Sequence, residues 1–191
     1  ILRASGRNAF VGGNIGDPLI GYVDGPQDEE FAVLEVSSFQ LDDIHYFRPD
    51  VAVLLNITPD HLDRYDYKFE NYIASKFRIT QYQTGTDHFI INEDDTVIAD
   101  YLTNHSIHAN KLFFTMSENN TGNEAGHISD DHLYILYDGE ALDMSIHDLA
   151  IKGKHNQYNR FSLSYFHNTN KRHARCSRWT VYRKRGVSWR S

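Results

Sequence analysis

Short apolar runs recur at 31–36, 51–56, 88–92, 112–115 and 133–137, each closed by Gly, Pro, Asp or Asn. Their length and borders predict β-strands. The first two are almost continuously apolar, as strands covered on both faces of a parallel sheet are. The fifth runs into Asp138-Gly139, a hairpin signal, so an antiparallel addition is expected as well. Between Lys68 and Gln83, the residues Phe69, Ile73, Phe77 and Thr80 recur at spacings of four, four and three, which predicts a helix with that stripe inward. A second helix is expected over 96–103, whereas 117–131 is polar, rich in Asn and Gly, and reads as loop. The expected fold class is α/β, a mostly parallel sheet flanked by helices.

In open parallel sheets, ligands bind beyond the carboxyl ends of the strands, so polar residues that terminate an apolar run are the first candidates for chemistry. Two clusters qualify. In Leu34-Glu35-Val36-Ser37-Ser38-Phe39-Gln40, Glu35 and Ser37 leave the strand end on the same side. They fit a ligand, or else an ion pair for Glu35 and a helix cap from Ser37 and Ser38. In Asn56-Ile57-Thr58-Pro59-Asp60-His61-Leu62-Asp63-Arg64-Tyr65, amide, hydroxyl, carboxylate, imidazole and guanidinium groups follow a buried strand directly. His61 suits a metal-linked ligand there, or a hydrogen-bonded loop. Lys76 falls at the flank of the helical stripe. Burial would favour its neutral, nucleophilic amine, and the competing arrangement lays the stem on apolar surface with the charge in water. Asn14, within Gly12-Gly13-Asn14-Ile15-Gly16, sits where glycine permits close backbone approach, and Asn156 and Asn159 lie one turn apart after His155.

In this order, the segments GGNIG, LEVSSFQL, FRPDVAVLLNITPDHLDRY, FENYIASKFRI and KGKHNQYN resemble the Mur ligase family over nearly all of residues 10–160. LEVSSFQL with NITPDHLDRY resembles the branch of that family that adds D-glutamate to UDP-N-acetylmuramoyl-L-alanine in peptidoglycan synthesis. The resemblance implies a central ATPase domain and an acyl-phosphate intermediate, with ATP and Mg²⁺ as cofactors. Glu35 and His61 would be Mg²⁺-binding residues, and Lys76 would carry a carbamate that helps hold a second Mg²⁺. Lys76 and His61 would thus be the catalytic pair. Asn14, Ser37 and Gln40 would face the UDP-linked substrate, and Asn156 and Asn159 the nucleotide. A relative ligating another amino acid, or glutamate onto folate, would share this apparatus, but LEVSSFQL and HLDRY argue against it.

Charge changes the picture at one end. Residues 1–160 hold 11 of the 19 Lys and Arg and all 26 Asp and Glu, a net of -15, whereas 161–191 hold eight basic residues and no acid. Residues 1–160 are therefore expected to be the central domain lacking its phosphate-loop part, since no G-K-[ST] occurs and Ile1 would lie just after it. Residues 161–191 are expected to be a basic tail, out of frame or disordered. A non-catalytic module using that tail on nucleic acid is the other class of reading, though the tail holds no recognisable binding motif. The single Cys176 offers no disulfide, and no apolar stretch approaches the roughly 20 residues of a membrane helix. A cytoplasmic monomer that engages neither membrane nor nucleic acid, and is inactive by itself, is the resulting expectation.

Overall fold

A computed structural model describes residues 2–3, 6–116, 126–137, 140–145 and 180–181. Among them, strands β1 (Ala9–Gly13), β2 (Phe31–Glu35), β3 (Val51–Leu54), β4 (His88–Asn92), β5 (Asn110–Thr115), β6 (Gly126–Ser129), β7 (His132–Tyr137), β8 (Glu140–Ser145) and β9 (Thr180–Val181) join one sheet in the order β1-β2-β9-β3-β4-β5-β6-β7-β8. Pairing is parallel from β1 to β6 and antiparallel from β6 to β8. Helices α1 (Leu19–Asp24), α2 (Ser38–Asp42), α3 (Phe69–Phe77) and α4 (Thr96–Asn104) complete the described elements, with 3-10 turns at Leu62–Tyr65 and Arg78–Thr80.

The continuous apolar runs do what their pattern predicts. In the 51–55 stretch, Val51, Val53 and Leu55 enter one core while Ala52 and Leu54 enter the other, all at most 4% exposed. Phe89, Ile90 and Ile91 of β4 are equally enclosed, and each such side chain contributes about 1.5–3 kcal/mol. The second of these cores packs against α2, α3 and α4.

Two expectations need correction. The segment read as loop at 117–131 contains β6, which pairs with β5 and β7. Asp130 and Asp131 turn the chain with φ of 49° and 59°, a two-residue hairpin made without the usual glycine, which is why its composition concealed it. On α3 Tyr72, Ser75, Lys76 and Phe77 are buried, with Ile79 and Thr80 beyond its end, so the expected stripe holds at Phe77 and Thr80 while its first two members, Phe69 and Ile73, are half-buried. An apolar ruler cannot see Ser75, which is buried because it is hydrogen-bonded: its Oγ donates to Asp42 Oδ1 at 2.6 Å and lies 3.0 Å from Ser38 O. The sequence reading also missed β1 and α1. The Asp138-Gly139 signal lies outside the described residues, but β7 and β8 pair as far as Tyr137 opposite Glu140 on its two sides. Thr180–Val181 pairs in parallel with both β2 and β3, although it belongs to the segment expected to be a tail.

Candidate functional site

Asn14, Glu35 and Ser37 lie at or just beyond the ends of β1 and β2, and His61 follows β3. After β1, the GGNIG segment folds back tightly: the Gly13 amide donates to Asp17 O at 2.9 Å and the Asn14 amide to Glu35 O at 2.8 Å. A Cβ on Gly12 would lie 2.1 Å from Asp17 O, and one on Gly13, whose φ is +117°, 2.3 Å from Glu35 O. The glycines are therefore a condition of the geometry. They set Asn14 beside the end of β2, with its side chain exposed and without a hydrogen bond among the described residues.

Ser37 and Gln40, expected to meet substrate, form a capping box on α2. The Gln40 amide donates to Ser37 Oγ at 3.3 Å, and the Ser37 amide donates to Gln40 Oε1 at 3.0 Å. Both side chains are thus committed to the helix start. Glu35, immediately upstream, is half-buried at the end of β2.

His61 begins the 3-10 turn in a left-handed conformation, φ 49°, and Asp66 and Tyr67 repeat it at 54° and 56°. Three non-glycine residues in this region within seven positions is the clustering of backbone strain that functional loops show. The His61 ring is more than half exposed, meets Phe39 edge-on at 5.1 Å, and holds Asp60 only at 3.6 Å. Arg64 covers the same Phe39 ring at 4.6 Å. The HLDRY turn is tied down through Tyr65, whose hydroxyl donates to Asp42 Oδ2 at 3.0 Å and lies 3.2 Å from Ser75 Oγ. Asp42, Ser75 and Tyr65 thereby join α2, α3 and the turn.

Lys76 is 3% exposed, and its Nζ lies 4.4 Å over the Tyr72 ring, one turn toward the start of α3. It has no ion pair or hydrogen bond among the described residues. An enclosed ammonium without a counter-charge is costly, and a cation–π contact offsets only about 0.5–2 kcal/mol of it. The environment thus favours a group that removes or neutralises the positive charge. Asn156 and Asn159 lie outside the described residues.

Sequence reasoning passed over Asn92 and Asp95, which hold the Leu55 carbonyl and the Ile57 amide. The strand-end test that singled out Glu35 applies equally to the polar run after β4 and would have found them. Among the described residues no three His, Cys, Asp or Glu side chains form a metal cluster.

The description "Mur ligase middle domain" matches residues 15–162. The chain is 44% identical over 164 residues to the UDP-N-acetylmuramoylalanine--D-glutamate ligase of Christiangramia forsetii, covering 86% of this chain and 36% of that protein. The enzyme of the same name from Bacteroides fragilis is 44% identical over 161 residues, covering 83% and 35%. The chain thus spans about a third of the length of these relatives. Its fold is similar to MurF from Acinetobacter baumannii, with a TM-score of 0.61 at 15% identity over 86% of this chain and 37% of that one. Thermotoga maritima MurF in complex with ADP gives 0.58 at 19% identity, over 88% and 41%.

Proposed function

Because the chain belongs to the Mur ligase family, we propose that it is the central part of the ligase that joins D-glutamate to UDP-N-acetylmuramoyl-L-alanine. The observation that carries this reading is Lys76: an enclosed amine without a counter-charge among the described residues, in the helix that follows the NITPDHLDRY turn. Carbamylation of that amine by CO₂ would exchange a stranded cation for an oxygen-donor anion. Glu35, His61 and carbamylated Lys76 would hold Mg²⁺, which supplies charge neutralisation between two anionic reactants. Asn14, exposed beside the end of β2, would face the UDP-linked substrate. Ser37 and Gln40 would act on it by fixing the start of α2, and Asn156 and Asn159 would meet ATP. The setting would be peptidoglycan synthesis in the cytoplasm, and so cell shape and division, with the protein a monomer.

Residues 1–160 would form this domain together with Thr180–Val181 of the basic segment 161–191, which pairs with β2 and β3. The 191 residues contain no G-K-[ST] phosphate loop, so the chain alone is expected not to release phosphate in response to D-glutamate. Binding is the informative test. Titration with UDP-N-acetylmuramoyl-L-alanine should shift amide resonances of Asn14 to Gly16 and Glu35 to Ser37. Saturating ligand that leaves those amides unmoved would contradict the assignment.

A further inference from the structure

One short segment after β4, Asn92-Glu93-Asp94-Asp95, joins three strand ends at the carboxyl edge. Asn92, 4% exposed, donates from Nδ2 to the Leu55 carbonyl at 2.8 Å. Asp95 caps α4 by accepting the Ile98 amide with one carboxylate oxygen at 3.0 Å, and accepts the Ile57 amide with the other at 2.9 Å. Asp94 turns toward β5, accepting from the Thr115 hydroxyl at 2.6 Å and the Met116 amide at 2.7 Å.

We propose that Asn92 and Asp95 are positioning residues, which set the path of 55–61 and so keep His61 against Phe39 beside the end of β2. Leu55 and Ile57, 3% and 2% exposed, bracket Asn56, so bonds to both fix where the segment leaves the core and in which direction. One oxygen of Asp95 holds the α4 start and the other holds the loop, so one side chain couples the α4 terminus to the loop. What the anchored loop then does rests on the ligase reading; the anchoring stands on the hydrogen bonds.

Asp95→Ser separates the two roles of Asp95. Serine at this position still accepts the Ile98 amide, since it is a favoured cap, but has no second oxygen for Ile57. In the full chain, hydrogen exchange over 55–61 should rise at least tenfold while α4 stays within twofold of the parent. The His61 ring protons, shifted by the Phe39 ring current, should move toward free-histidine positions. Unchanged exchange over 55–61, or equal loss of protection there and in α4, would reduce Asp95 to a cap and overturn the proposal. If Asp95→Ser does not fold, Asn92→Ser, which removes the donor to Leu55 together with the oxygen that accepts the Asp94 amide, is held to the same tenfold criterion over 55–61. Neither readout uses nucleotide, metal or substrate. Failure here would overturn the anchoring alone and leave the ligase reading to the substrate titration.

Discussion

At the scale of single residues, burial with and without a partner separates structural groups from chemical ones. Asp87 is 2% exposed, and burial by itself would raise its carboxyl, but hydrogen bonds from Arg48 and from the backbone and side chain of Thr84 outweigh that and hold it below the ordinary 3.8. A depressed carboxyl contributes stability that is present above the unfolded value and lost as pH falls through the folded one. Asp87→Asn should therefore lower stability at pH 7 by about 1–3 kcal/mol and flatten the acid limb of the stability curve below about pH 4. Thermal melts at pH 7 and pH 3 would measure both effects, and equal losses at the two pH values would contradict the assignment. Lys76 is the opposite case, enclosed without a charged partner among the described residues. Its position near the apolar stripe was legible in the sequence. Its full enclosure was not, because Ser75 and Lys76 are polar letters on a buried line whose justification is tertiary.

Among elements, legibility followed how local the cause is. The strands at 31–36, 51–56 and 88–92 could be read because two-sided burial writes itself as an unbroken apolar run. Strand β6 could not, because its place depends on pairing with β5 and β7, and its hairpin uses two aspartates. Ser37 and Gln40 illustrate the ambiguity that spacing leaves: both a ligand pair and a capping box fit, and the structure shows the box. The GGNIG turn is the element with the strictest local demand. Gly13→Ala places a Cβ on the Glu35 carbonyl at a φ that side chains avoid, and should cost about 2 kcal/mol or more in chemical denaturation. A midpoint unchanged from the parent would show that the turn can relax away from β2.

At the scale of the whole molecule, the nine described strands bring Asn14 and Glu35 together at neighbouring strand ends and send the chain on to His61 after β3, while Lys76 sits on α3. The motif order made the family legible. What sequence could not convey is that Asp42, Ser75, Asn92 and Asp95 fasten the loops to one another, since each acts on backbone or side chains far along the chain. No described helix is long and apolar enough to cross a membrane. Carbon-13 NMR of the chain equilibrated with labelled bicarbonate asks whether Lys76 takes up the proposed carbamate. The expected result is a carbamate resonance that is absent in Lys76→Arg and strengthened by Mg²⁺. A spectrum identical in the two proteins would contradict it.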